Sequence, residues 1–209
     1  MKSLLHAVTK IWDAIRSHFG SSVPAPPAED VIDEFFVYGS QYYLAGRYGM
    51  FAGLLPVAAN LHHHGIEMLL KGALSKTMTL EELKEKLMHN LPKMWTKFKK
   101  QANDPSLNRF NKVIKELCKY NDVRYPDKTL RSGARMMFDI TRAGAAQSFE
   151  TGKIVTSMPK YKLCLEDIDD LVSEIFRVAS RNPKVYLNMR FAKTEAREFL
   201  FRDNVFVRP

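Results

Sequence analysis

The sequence is poor in cysteine. Its 209 residues contain only Cys118 and Cys164, which lie far apart and belong to no CxxC pair. Two cysteines are too few for a disulfide-stabilised scaffold. We therefore expect both thiols to be reduced, as is typical of a cytoplasmic protein.

Long apolar runs are also missing. No stretch approaches the roughly 18 uninterrupted apolar residues that a membrane span requires, so we expect no transmembrane segment. Lys10, Asp13 and Arg16 interrupt what would have to be the apolar centre of a signal peptide, so we expect no export. The 45% hydrophobic content excludes a wholly disordered chain and is sufficient for one sizeable core.

Acidic residues are too few to balance the basic ones. The chain has 32 Lys and Arg against 23 Asp and Glu, a formal net charge of +9. This excess favours a polyanionic partner or a phosphate-bearing ligand, without choosing among RNA, DNA, nucleotide and membrane. The basic residues concentrate in 93–142 and beyond 177, whereas 29–34 and 166–174 are acidic. An acidic face could therefore also meet a basic one in a dimer.

Apolar residues recur at helical spacing along most of the chain. The predicted helices cover residues 2–19, 29–48, about 53–75, 80–89 and 92–102, a helix that begins at Asp104-Pro105, and 165–180. Between them, residues 136–156 predict a loop with a short hairpin. The sequence therefore predicts an all-α fold, a helical bundle with a small irregular or hairpin insertion.

The chain divides into four predicted parts. Residues 1–20 form an amphipathic helix, 21–28 a Pro-rich linker, 29–180 the helical domain and 181–209 a basic C-terminal tail. The apolar face of the first helix needs a surface to lie on. That surface is the core of its own domain, a second subunit or a membrane.

The third predicted helix carries three consecutive histidines, at 62–64. Successive residues are about 100° apart on a helix, so the three imidazoles cannot all meet one ion. HExxH is absent as well, and we expect no metal and no cofactor. His63, Glu67 and Lys71 are each four residues apart on an apolar helix, and a buried Glu67 needs a partner such as Arg124. The cluster is either a structural ion pair or the floor of a polar pocket.

Four short segments resemble the HEPN (higher eukaryote and prokaryote nucleotide-binding) superfamily. They are 47–49 (RYG), the helix 58–74 with Glu67 and Lys71, 89–91 (HNL) and 121–126 (NDVRYP). The resemblance covers roughly residues 29–180. It implies a helical bundle, a homodimer and binding of RNA or a nucleotide. In many members it also implies metal-independent RNA cleavage by an Arg and a later His that are separated by four to six residues.

That cleavage motif is missing here. The positions that would hold the histidine after Arg124 are Thr129, Leu130 and Arg131. The resemblance therefore implies a binding or regulatory module. Two alternatives stay open: an endoribonuclease with an atypical site, and a protein-interaction module of a defence or toxin-antitoxin type system that docks through residues 1–20 or the C-terminal tail. The atypical catalytic site would draw on Arg124, His63 and His89.

Residues 93–100 hold four lysines without an acid, interleaved with Trp95 and Phe98. The aromatics suit nucleobase stacking, but core packing is the simpler role for them. The candidate ligand-binding residues are Arg124, Glu67, Lys71, His63, Lys97 and Lys100.

Overall fold

The computed structural model describes residues 28–123, 127, 131, 133–144, 147–151, 160–187 and 194–206. The predicted helix over 2–19 and most of the Pro-rich linker lie outside the described residues. So do Arg124 and the segment 153–156, where the hairpin was expected.

The described chain is mostly helical. The first two helices are long and neighbour each other: α1 (Ala28–Phe51) and α2 (Leu55–Leu74). They are followed by α3 (Leu80–Glu82), a π-helical turn (Leu83–Leu87), α4 (Leu91–Ala102), a 3₁₀ segment (Pro105–Phe110), α5 (Asn111–Lys119) and a second 3₁₀ segment (Tyr120–Val123). The last helices are α6 (Leu165–Val178), α7 (Pro183–Leu187) and α8 (Thr194–Phe201).

The helix starts follow the capping residues that the sequence provides. Thr79 and Glu82 form the expected capping box at α3, where each side chain bonds the other residue's backbone N–H. The Asp104 side chain accepts a hydrogen bond from the backbone of Ser106, and the following proline occupies the first turn. That turn is 3₁₀ rather than α-helical, and the predicted helix over 80–89 is α-helical only as far as Glu82 before it widens into the π turn.

Helices α1 and α2 pack backbone against backbone. A Cβ atom added at Gly65 would lie 3.1 Å from the backbone nitrogen of Tyr43 and 3.2 Å from the carbonyl oxygen of Gly39. Neither backbone atom can move independently of its helix. The absence of a side chain at Gly65 therefore sets the distance between the two helices.

A three-stranded sheet takes the place of the loop with a short hairpin that was expected over residues 136–156. Strand β1 (Ala134–Asp139) is central; it pairs antiparallel with β2 (Gln147–Thr151) and parallel with β3 (Lys160–Cys164). Alternate β1 residues, Ala134, Met136 and Phe138, are buried, so one face of the sheet packs on the helices. The sequence does not show this alternation, because Met137, which lies between Met136 and Phe138, is also apolar.

The core lies between α2 and the helices around it. Trp95 and Phe98 are almost fully buried in it, which confirms the expected packing role. Cys118 and Cys164 are free thiols. In the part of the chain that the structure describes, none of the helices combines the length and apolarity needed to cross a bilayer.

Candidate functional site

The three consecutive histidines of α2 diverge, as the helix geometry predicts. His62 is buried against α1, where its ring lies 2.8 Å from the position that a Cβ of Gly46 would take. His63 is also buried, with Nδ1 3.1 Å from the carbonyl oxygen of Leu117 on α5. His64 is partly exposed beside the ring of Tyr42. The three rings therefore lie in three different environments.

Glu67 lies at the centre of a cluster of polar side chains near the start of α4. Its carboxylate has no exposed surface, and Oε1 accepts hydrogen bonds from Nζ of Lys71 at 2.8 Å and from Nδ1 of His89 at 2.9 Å. On the other side, Oε2 lies 3.9 Å from both Nε2 of His63 and Nδ1 of His64. The structure thus brings together three of the sequence-predicted site residues, His63, Lys71 and His89, around a fourth, Glu67.

Local structure fixes the position of His89. The residue before it, Met88, has a left-handed backbone with φ of 48° and ends the π-helical turn. The residue after it, Asn90, caps α4 by accepting a hydrogen bond from the backbone of Lys93 at 3.0 Å. His89 is therefore held between two defined helix ends, with 65% of its side chain exposed.

The tautomer of His63 follows from its neighbours. Because a carbonyl oxygen can only accept, the short contact with Leu117 requires a proton on Nδ1 of His63. The other ring nitrogen of His63, Nε2, faces Glu67. Within the described residues Oε2 of Glu67 accepts no hydrogen bond. Oε2 can therefore accept a hydrogen bond from the side that faces the histidines.

A second buried network, which was not predicted from the sequence, lies between α1, α6 and α8. Arg47 is fully buried; it forms an ion pair with Asp169 and donates from Nε to the carbonyl oxygen of Phe199 at 2.9 Å. Its guanidinium also donates to the carbonyl oxygen of Arg202. These contacts hold the end of α8 against α1.

Tyr43 and Asn204 complete this network. Tyr43 donates its hydroxyl proton to Asp169 at 2.6 Å, and the Asn204 amide donates to the Tyr43 oxygen at 3.0 Å. Burial raises the pKa of Tyr43 well above its usual value. Burial, and then the nearby Arg47 charge, lower the pKa of His62 to about 3, so this imidazole is neutral. The network is closed to solvent and stabilises the fold.

Lys97 and Lys100, the remaining candidates, line a cleft rather than the Glu67 cluster. The cleft has a volume of about 450 Å³ and lies where α2 ends beside the π-helical turn and α4. Lys86 is a third basic residue of the cleft and was missed by the sequence reasoning. The other lining residues are Leu74, Thr77, Met78, Glu82 and Gln101. Lys86 is paired with Glu82 at 2.6 Å, whereas neither Lys97 nor Lys100 forms an ion pair with the described residues.

The two sites are neighbours along α2. Glu67 and Leu74 are seven residues apart, which is about 10 Å along a helix axis. Arg124, predicted as the partner of Glu67, lies outside the described residues. No group of three or more metal-ligating side chains occurs among the residues described. The lysine cleft can accept an anion, and the Glu67 cluster can hold and orient an exposed imidazole.

Comparison with known proteins gave no match: no family model, no curated protein and no solved structure is similar to this chain.

Proposed function

We propose that this protein is a HEPN-like module that binds RNA or a nucleotide, and that Lys86, Lys97 and Lys100 hold the phosphate groups. The observation that carries this proposal is the position of Lys97 and Lys100 in one cleft, without carboxylate partners among the described residues. Two ammonium groups at one concave site, neither within ion-pair distance of a carboxylate among the described residues, favour an anionic ligand.

The cleft also suits the rest of a nucleotide. Its volume of about 450 Å³ falls within the usual range for small-molecule sites, about 300–1,000 Å³. Met78 supplies apolar surface for a base beside the buried Leu74, and Thr77 and Gln101 supply polar groups. The combination of apolar wall and cationic rim is what a nucleotide unit requires.

The row of lysines extends beyond the cleft. Lys93, Lys97 and Lys100 follow one another at intervals of four and three residues on α4, so they share one side of the helix. All three are exposed. A single-stranded RNA could therefore follow α4, with one phosphate in the cleft and others along the row. The net charge of +9 favours this encounter at low salt.

Fluorescence anisotropy with a short labelled single-stranded RNA tests the proposal. We expect the affinity to fall steeply with salt, with a log–log slope of about 0.7 for each phosphate neutralised. The double variant Lys97→Gln/Lys100→Gln should bind at least about tenfold more weakly, with a slope reduced by about 1.4. Competition by a mononucleotide separates nucleotide binding from RNA binding.

A matched control removes the same charge elsewhere. Lys115 on α5 and Lys160 on β3 are exposed and lie outside the cleft. The double variant Lys115→Gln/Lys160→Gln should keep most of the affinity. Equal losses in the two double variants, or binding that does not depend on salt, would overturn the assignment of the cleft.

The Glu67 cluster supports a second candidate, a metal-independent endoribonuclease. An exposed imidazole hydrogen-bonded to a buried carboxylate is a suitable general acid or base, since the carboxylate fixes the orientation of the ring. RNA cleavage measured in EDTA tests this candidate. Activity lost in His89→Gln and kept in Lys115→Gln would support it, and activity unchanged in His89→Gln, His63→Ala and Arg124→Ala would exclude this site.

Homodimerisation, which the HEPN resemblance implies, belongs to the same proposal. Light scattering of the full chain over a range of concentrations measures it.

A further inference from the structure

The first three turns of α1 form one wall of an exposed apolar groove. Val31, Phe35 and Tyr38 lie on one side of the helix, and Leu80 from α3 faces them. The groove has a volume of about 280 Å³, which is slightly below the usual range for small-molecule sites. Tyr38 keeps 52% of its surface exposed. Such a groove suits apolar side chains of a protein segment better than a free ligand.

The rim of this groove is acidic. Asp30 and Glu34 line it, and neither forms an ion pair with the described residues. Their neighbours Glu29 and Asp33 are already engaged by Arg181. The groove therefore presents an apolar floor beside two carboxylates that have no cationic partner in the described part of the chain.

The chain carries a segment of matching chemistry directly before α1. The predicted helix over 2–19 has one apolar stripe, formed by Leu4, Leu5, Val8, Ile11, Trp12, Ile15 and Phe19. Its polar positions include Lys2, Lys10 and Arg16. The stripe matches the apolar floor, and Arg16, which flanks the stripe, matches the acidic rim.

The connection between segment and groove is short. Residues 20–27 link the predicted helix to Ala28, where α1 begins, and the groove starts at Asp30. Eight residues in an extended, Pro-rich conformation span about 25 Å at 3.1 Å per residue, enough for the helix to fold back along the first turns of α1. A short tether also gives the segment an effective concentration of the order of millimolar at the groove.

We propose that residues 2–19 dock as an amphipathic helix into the groove formed by Val31, Phe35, Tyr38 and Leu80 of the same chain. Arg16, which flanks the apolar stripe, lies toward Asp30 and Glu34 in this arrangement, whereas Lys10 lies on the opposite face of the helix. The docked helix covers the apolar groove at the start of α1 and is independent of the lysine cleft.

The emission of Trp12 measures docking directly. The chain has two tryptophans, and the other, Trp95, is buried in the core. The difference between the spectra of the wild type and Trp12→Phe therefore isolates Trp12 and leaves the core untouched. We expect a blue-shifted Trp12 component that acrylamide quenches poorly.

Changes in the groove should release the segment. Because Tyr38 is half exposed, Tyr38→Arg should fold, as circular dichroism would verify, and should shift Trp12 emission to the red with several-fold stronger quenching. Val57→Arg alters an equally exposed apolar residue, 56% exposed, on α2 outside the groove and should leave Trp12 unchanged. The charge-reversal pair Asp30→Lys/Glu34→Lys should also release the segment, and adding Arg16→Glu should restore docking, whereas adding Lys10→Glu instead should not.

Three results would overturn the proposal. A Trp12 component that is already fully exposed in the wild type shows that the segment is not docked. Burial that appears only on addition of anionic vesicles assigns it to a membrane surface. Burial that rises with protein concentration, together with a dimer in light scattering, assigns the groove to the segment of a second copy.

Discussion

Nδ1 of His89 lies 2.9 Å from Oε1 of Glu67, so a largely exposed imidazole is hydrogen-bonded to a carboxylate that has no exposed surface. The same oxygen accepts a hydrogen bond from Lys71 at 2.8 Å. A buried carboxylate is stable only when its partners compensate for the lost hydration. Lys71 and His89 supply this compensation, and the carboxylate in turn positions the imidazole at the surface.

Removing the carboxylate should destabilise the fold. Glu67→Ala leaves the nearly buried Lys71 without its partner, and we expect a loss of about 3–5 kcal/mol in the free energy of unfolding. Urea denaturation measures it. Glu150→Ala removes a partner of Arg135 at an exposed position and should cost less than about 1 kcal/mol. Replacing both buried partners, Glu67→Leu/Lys71→Met, should recover much of the loss, and a loss below 1 kcal/mol for Glu67→Ala would contradict this account.

Arg47 should determine whether the C-terminal helix stays docked. Arg47→Met leaves Asp169 buried without a cation and removes the donors to the carbonyl groups of Phe199 and Arg202. We expect about 3–5 kcal/mol of destabilisation and faster amide hydrogen exchange in residues 194–206.

Two variants separate the effects of the Arg47 contacts. Arg47→Met/Asp169→Leu removes the unpaired charge, so global stability should partly recover while exchange in 194–206 stays fast. Arg197→Met changes an exposed arginine on α8 itself and should alter neither quantity. Unchanged exchange in Arg47→Met would show that other contacts hold the helix.

His62 should make the protein less stable in mild acid. Its pKa is about 3 in the folded protein, because of burial and the Arg47 charge, against about 6.5 when exposed. Between these values the unfolded chain binds a proton that the folded protein does not, so the free energy of unfolding decreases as pH falls. From pH 7 to pH 5 this residue contributes a loss of about 2 kcal/mol.

Denaturation of His62→Leu at both pH values measures this contribution. The variant should lose about 2 kcal/mol less than the wild type on acidification, since leucine binds no proton. Equal losses in the two proteins would assign the acid sensitivity to other groups.

Gly65→Ala should destabilise the protein, although alanine is the better helix former by about 1 kcal/mol. The added Cβ would lie 3.1–3.2 Å from backbone atoms of α1, so the two helices must separate to admit it. Thermal denaturation should show a lower Tm. Gln41→Ala, at an exposed position on α1, should stay within about 0.5 kcal/mol of the wild type. A higher Tm for Gly65→Ala would show that the helices are not in backbone contact.

Interactions between residues close in sequence could be predicted, because helix geometry fixes them. The Glu67–Lys71 pair, the approach of His63 to Glu67 and the capping box at Thr79 all follow from spacings of three or four residues. The helices predicted over 29–48, about 53–75, 92–102 and 165–180 are confirmed for the same reason. Trp95 and Phe98 were correctly assigned to the core because they fall on the apolar side of α4.

Contacts between distant residues could not be derived in this way. Arg47 and Asp169 are 122 residues apart, and nothing local shows that α1 and α6 meet there. His89 was a candidate, but its bond to Glu67 depends on the π-helical turn and on the left-handed Met88. The sheet was expected to be a loop with a short hairpin, because its strands are short and β3 pairs with β1 across a gap in the sequence.

We propose that a phosphate-bearing ligand binds in the cleft of Lys86, Lys97 and Lys100. The most direct test is a titration of isotope-labelled protein with a short single-stranded RNA, followed by NMR. We predict that the largest shifts fall on the amides of residues 74–101 and that they disappear in Lys97→Gln/Lys100→Gln. Shifts that fall elsewhere, or that persist unchanged in this variant, would contradict the account.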